Sequence, residues 1–169
     1  MNISEQALEF LEGWESCRLQ AYCDSANKLT IGIGHLLTDA ELKTELLLIG
    51  ERLVRWQGGL TRAQAIALKH QDLERFVEAV REKMKTCSLK PHEFDALVIY
   101  AFNIGVPAFE RVSSVPRLIR EGQIERAMVV WQQWNKETRN GKKVVSRGLT
   151  KRRKAEIQMF LKADYSGRP

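Results

Sequence analysis

From Thr61 to about Lys85 no glycine or proline breaks the chain, and Ala65, Leu68, Leu73, Phe76, Val77 and Val80 follow a helical pattern. That period predicts one long helix with a single apolar face. Thr61-Arg62-Ala63-Gln64 has the pattern of a capping box and marks where it starts. In a chain of 169 residues, a helix of this length placed mid-sequence ties whatever precedes it to whatever follows. The sequence therefore divides into a small N-terminal lobe at about 15–60, the linking helix at about 61–85, and a larger lobe at about 86–163 that also takes in an N-terminal helix at 4–14.

The pieces on either side differ in kind. Ala7, Leu8, Leu11 and Trp14 form the apolar stripe of the short N-terminal helix, and Glu15 follows at its exit. Arg18 to Cys23 and Lys28 to Ile33 read as strands joined by the turn-forming run Asp24-Ser25-Ala26-Asn27. Thr38-Asp39-Ala40-Glu41 is a second capping box opening a brief helix. Leu46 to Ile49 and Leu53 to Trp56, around Gly50-Glu51, read as a second hairpin. Beyond the long helix only helices are expected. One starts at Pro91 and stops at Gly105, one spans Pro116 to Arg120, and one spans Ile124 to Trp134. Asn140-Gly141 makes a turn, and a last helix from Lys151 to Ala163 turns Ile157, Phe160 and Leu161 inward. The expected class is α+β, with an all-helical C-terminal lobe and a cleft between lobes as the natural place for a substrate.

Charge is unevenly spread. Residues 1–60 carry five Lys/Arg against nine Asp/Glu, while the whole chain is formally +6. Lys136 to Lys154 alone holds nine basic residues and one acid, a face that attracts polyanions. No run of eighteen apolar residues is present, and the N-terminus carries acids where a secretion signal carries basic residues, so the expectation is synthesis in the cytoplasm without export by the chain itself. Cys17, Cys23 and Cys87 have no metal-ligand spacing and are odd in number, which favours free thiols over a Cys17 to Cys23 bridge.

The chemistry concentrates in EGWESCRLQAYCDSANKLTIGIGHLLT, residues 12–38. It sets Glu15 at a helix exit and Asp24 and Thr30 across a hairpin, two carboxylates and a hydroxyl suited to acid-catalysed hydrolysis. A Glu at a helix end and an Asp in a turn are, taken alone, most often merely solvated. The surrounding motifs change the balance. EGWESCRLQAYCD with LTIGIGHLLT, then LTRAQAIALKHQDLERFV, LKPHEFDALVIYAFNIGVPAF and GLTKRRKAEIQMFL, resemble in order the phage-type lysozymes, glycoside hydrolase family twenty-four.

The resemblance covers nearly the whole chain and implies a lysozyme-like endolysin cutting the glycan of bacterial peptidoglycan between N-acetylmuramic acid and N-acetylglucosamine. It implies Glu15 as the general acid, Asp24 as the opposing carboxylate and Thr30 as the holder of the attacking water. His35, on its face a candidate base or metal ligand, is implied to form a structural ion pair with Asp72, which would raise its pKa. Leu36, Phe102, Asn103 and Ser114 are nominated as substrate contacts, although Phe102 also suits core packing and Ser114 a helix cap. Arg152 is nominated as a partner of Glu15. Trp131 and Trp134 are read as core rather than sugar platforms.

No cofactor and no metal is expected. The expected partner is the peptidoglycan strand, with no nucleic acid and no stable membrane insertion. The chain is expected to be a monomer that depends on a holin-type membrane pore to reach its substrate. The competing readings are a lytic transglycosylase on the same glycan and, from another class, a basic helical nucleic-acid-binding protein. Ile33, Cys23 beside the acid, and a long LLLIGERLVRWQGG segment depart from common relatives and bear on cleft shape.

Overall fold

The computed structural model describes residues 1–24, 27–139 and 141–169. Ser25 and Ala26 of the first expected turn, and Asn140 of the Asn140-Gly141 turn, lie outside them. The chain divides into two compact units, Glu15–Glu74 and Met1–Trp14 with Arg75–Pro169.

In the first unit, β1 (Cys17–Cys23), β2 (Leu29–Ile33) and β3 (His35–Leu36) form an antiparallel sheet in that order. Next come α2 (Asp39–Thr44), the hairpin β4 (Leu46–Ile49) and β5 (Arg52–Arg55), a 3₁₀ turn Trp56–Gly58, and the start of α3 (Arg62–Lys83). Both capping boxes form as their sequences predict. Thr38 N–H donates to Glu41 Oε2 at 2.7 Å while Glu41 N–H donates to Thr38 Oγ1 at 3.3 Å. Thr61 N–H donates to Gln64 Oε1 at 2.8 Å, and Gln64 N–H returns to Thr61 Oγ1 at 3.2 Å. Alternation on β2 and β4 turns Ile31, Ile33, Leu47 and Ile49 into a core completed by Leu37, Leu60, Ala65 and Leu68. β3 escapes the sequence reading because two residues are too few to show a period.

The second unit holds α1 (Glu5–Trp14), the end of α3, α4 (Pro91–Ile104), α5 (Val115–Arg120), α6 (Ile124–Gln132), and α7 (Arg147–Lys162). Eight successive residues of α4, Phe94 to Ala101, are buried. A helix apolar on all sides has neighbours all round, and α4 packs on α1, on α7 and on the π-helical turn Ala108–Val112. Asp95, polar in that buried run, is satisfied from both chain ends. It accepts from Ser4 N–H at 3.0 Å, Ser4 Oγ–H at 2.6 Å and Tyr165 O–H at 2.6 Å.

Three expectations fail in this unit. It is not all-helical, because β6 (Lys136–Arg139) pairs antiparallel with β7 (Lys142–Val145). Seven of those eight residues are exposed, so no apolar alternation advertises the hairpin. The last helix starts at Arg147 rather than Lys151 because Ser146 caps it, accepting from Leu149 N–H at 3.5 Å. Within α7, Ile157 and Phe160 are buried as expected, but Leu161 points outward at 47% exposure.

Candidate functional site

The three candidate catalytic residues all fall in the unit Glu15–Glu74. Glu15 is half-buried between the end of α1 and the start of β1. Gly34, between β2 and β3, has φ +73°, a conformation that suits glycine. A Cβ built there would stand 3.7 Å from Glu15 Oε2, an ordinary van der Waals contact, so the strand connection passes directly beside the carboxylate.

Asp24 closes β1 and organises the turn that follows. Its Oδ1 accepts from Lys28 N–H at 2.9 Å, its N–H donates to Lys28 O at 2.9 Å, and its O accepts from Asn27 N–H at 2.9 Å. A carboxylate that orders its own turn is a favoured use of Asp, and it holds the group in place. The register then sets Thr30 opposite Tyr22, two residues before Asp24, and Leu36 on the other side of Thr30. Thr30 is 5% exposed, and its hydroxyl donates to Lys28 O at 3.2 Å, which leaves its lone pairs to accept. Leu36, nominated as a substrate contact, is exposed beside it.

His35 sits between two acids. Nδ1 lies 2.9 Å from both Asp72 carboxylate oxygens, and Nε2 lies 3.2 Å from Glu41 Oε2. Burial works against charge on the ring, but the hydrogen bond and charge of Asp72, joined by Glu41, outweigh it and raise the pKa above its ordinary 6.5. Both ring nitrogens face carboxylates, so the charged form of the ring donates to Asp72 and to Glu41 at once. Glu41 also has its pKa lowered: burial opposes this, and bonds from Thr38 together with His35 outweigh it. The sequence marks Glu41 as a cap, and the structure adds it as a second partner of His35. Its capping role was legible, and the reach of the same carboxylate to His35 was not.

The other nominated residues lie in the second unit. Phe102 is half-buried and stacks edge-on to Phe76, with centroids 5.3 Å apart, so it has a packing role. Asn103 Oδ1 accepts from Arg153 Nη2 at 2.7 Å. Because a guanidinium only donates, this bond also decides which way the carboxamide points. Ser114 occupies the N-cap position of α5 but makes no side-chain cap bond there; Ser113 Oγ accepts from Val115 N–H at 3.3 Å instead.

Arg152 Nε lies 3.3 Å from Glu156 Oε1, and its guanidinium lies 5.9 Å from the centre of the Trp14 ring. Arg153 Nη2 donates to the same Glu156 oxygen at 2.7 Å, and Trp131 Nε1–H donates to Glu156 Oε2 at 2.9 Å. The two arginines are 6% and 0% exposed, so the basic segment 136–154 presents fewer charges to a polyanion than its sequence promises. Trp131 is core, fully buried against Tyr100 and Phe160.

The Phage lysozyme family model matches residues 12–156. The chain is 31% identical over 160 residues to the endolysin of Acyrthosiphon pisum secondary endosymbiont phage 1, covering 95% of this chain and 98% of that one. It belongs to the phage lysozyme family. Among solved structures it resembles the endolysin from Escherichia coli O157:H7 phage FAHEc1, at 33% identity and TM-score 0.82 over 98% of this chain and 96% of that one. It also resembles the muramidase domain of SpmX from Asticaccaulis excentricus, at 31% identity and TM-score 0.76 over 95% and 97%. The chain spans 55% and 54% of the endolysins of Bacillus phages PZA and B103. As a family member it is a lysozyme-type glycoside hydrolase. Among the described residues no helix is long and apolar enough to cross a membrane.

Proposed function

We propose that this chain is an endolysin that hydrolyses the β-1,4 bond between N-acetylmuramic acid and N-acetylglucosamine in bacterial peptidoglycan. The observation that carries the reading is local. Asp24 is pinned by its turn, Thr30 is held two register positions away, and Glu15 stands beside the connection that follows β2. Similarity to a muramidase domain supports the choice of bond.

In this reading Glu15 delivers a proton to the glycosidic oxygen as its bond to the anomeric carbon breaks. Asp24 offers negative charge to the oxocarbenium-like transition state. A water accepted by Thr30 attacks the anomeric carbon, and its proton leaves through a carboxylate, so each turnover consumes one water. Leu36 packs on the glycan, and Asn103, its oxygen held by Arg153, turns its N–H groups to an N-acetyl carbonyl. The Ser114 hydroxyl, not spent on a cap, is available to a sugar hydroxyl. The protein works as one catalytic domain and as a monomer. It is made in the host cytoplasm and reaches the wall after a holin-type pore opens the membrane.

The test is Glu15→Gln, which keeps shape and removes the donatable proton. Release of muropeptides from purified sacculi should fall about 10²- to 10⁴-fold, the range of general acid catalysis, with the unfolding transition unchanged. Retention of a tenth or more of the activity counts against Glu15. Mass spectrometry of the products also separates the runner-up, since 1,6-anhydro ends in place of reducing ends assign the chain to the lytic transglycosylases.

A further inference from the structure

Along the second unit, α6 and α7 leave two shallow troughs that share Val129 and Gln132. One, of about 550 Å³, is lined by Gln133, Asn135, Lys136 and Thr150 as well. The other, of about 440 Å³, adds Met128, Lys154, Ile157 and Gln158. Their volumes fall in the range of ligand sites, and their lining alternates side-chain amides with aliphatic patches. Gln132 and Gln133 are exposed and make no side-chain hydrogen bond among the described residues, so their donors and acceptors face outward.

The field over this surface has one sign. Directly paired residues of a hairpin share a face, so Lys136, Thr138, Lys143 and Val145 stand together on the side that includes the trough-lining Lys136. Between Met128 and Gln158 the acids are Glu137 and Glu156. Glu156 is fully buried, and Glu137 is on the opposite face of the hairpin, paired with Arg139. Lys142 faces Arg139 across the strands, a like-charge pairing that disfavours the hairpin. Nothing in the packing of this exposed hairpin calls for so many cations.

We infer that these troughs and the Lys136/Lys143 face form a second, non-catalytic binding surface for peptidoglycan, holding a glycan strand through its stem-peptide carboxylates. The inference rests on the peptidoglycan reading above and extends it to residues outside the catalytic set. The chemistry of the surface selects this polymer. Free amides match the acetamido and hydroxyl groups of amino sugars, and ammonium groups match carboxylates repeated along the strand. The lining holds no aromatic ring on which a nucleic-acid base would stack, and a lipid surface has no use for an amide-lined trough. A second point of attachment keeps the enzyme on an insoluble substrate between cuts by raising the effective concentration of the next bond.

The test measures co-sedimentation with purified sacculi in the Glu15→Gln protein, so that binding is read without cleavage. A triple variant, Lys136→Gln with Lys143→Gln and Lys154→Gln, should bind roughly tenfold more weakly, the sum that a few exposed ion pairs supply. A control removing the same charge elsewhere, Lys43→Gln with Lys85→Gln and Lys162→Gln, should bind as its parent. On sacculi stripped of stem peptides by an amidase, the parent should weaken by the same factor and the triple variant should lose nothing more.

Equal binding of triple variant and parent, an equal loss in the control, or a triple-variant loss that persists on stripped glycan overturns the inference. Loss of binding to phosphatidylglycerol vesicles or duplex DNA, with sacculus binding unchanged, overturns it in favour of those partners. Muropeptide release by the Glu15→Gln protein would count against the catalytic assignment and leave the binding comparison intact.

Discussion

Replacing Glu156 by alanine removes a buried carboxylate that two buried arginines share. Its carboxylate is 0% exposed and is met by Arg153 Nη2 at 2.7 Å, Trp131 Nε1 at 2.9 Å and Arg152 Nε at 3.3 Å. Without it Arg153, 0% exposed, has lost its ion-pair partner among the described residues and is left beside the like charge of Arg152. Burial already holds the Arg153 pKa below its ordinary value, against the pull of Glu156.

Breaking a buried ion pair from one side costs about 3–5 kcal/mol. Orphaning the Trp131 indole N–H carries an overlapping penalty of about 1–3 kcal/mol. Taking about 4 kcal/mol for the whole, the melting temperature should drop by roughly 8–16 °C for a chain of this size. Urea unfolding at neutral pH, with the slope checked for constancy, reads the loss directly.

Arg153→Met supplies the contrast. Among the described residues Arg153 Nε and Nη1 have no hydrogen-bond partner, and Arg152 remains to face Glu156 when Arg153 is gone. That variant should therefore cost at least about 2 kcal/mol less than Glu156→Ala, since it leaves no unpaired charge behind. A Glu156→Ala loss under about 1 kcal/mol, or an Arg153→Met loss larger than that of Glu156→Ala, would refute the idea that Glu156 neutralises this cluster.

Because the His35 pKa is raised on folding, its contribution is fully present below its ordinary 6.5 and disappears as pH rises through the folded value. Glu41, with a lowered pKa, contributes above its ordinary 4.5 and stops contributing as pH falls through its own folded value. The stability gap between the protein and His35→Gln should thus be widest between those two limits and narrow toward alkaline pH; a gap that stays constant from pH 5 to 9 in urea titrations rules out the clamp. Gly34→Ala places a methyl group at φ +73° and 3.7 Å from Glu15 Oε2, so it should cost about 1–2 kcal/mol of left-handed strain and slow muropeptide release. Unchanged stability and unchanged release together would remove Gly34 from the site.

Local patterns were legible wherever a side chain acts on its own turn of chain. The capping pairs Thr38/Glu41 and Thr61/Gln64, the glycine that ends α4 and the alternation of Ile31 with Ile33 all work over two to four residues. The candidate site was readable for the same reason, since Asp24 bonds within its turn and Thr30 is placed by the strand that returns from it. The β6 and β7 hairpin was not readable, because Val144 and Val145 are adjacent and the rest is polar or charged, which leaves no period to detect. Ser113 rather than Ser114 bonds the start of α5, and its Oγ is held 2.9 Å from Tyr100 Oη, a partner thirteen residues away.

The amino-acid order by itself determined the periods, the caps and the spacing of two acids and a hydroxyl, because each follows from groups that meet within a few residues of backbone. Only the tertiary structure decided the fate of the charges. Arg152 and Arg153 read as part of a solvated basic run until α7 turns them inward onto Glu156, and Glu41 reads as a cap until it reaches His35. The physical reason is desolvation. Whether a charge is a free surface group or an expensive buried one depends on which distant segment excludes its water, and neighbours 25 or 50 residues away in the chain, Trp131 and Asn103 here, leave no mark on the local sequence.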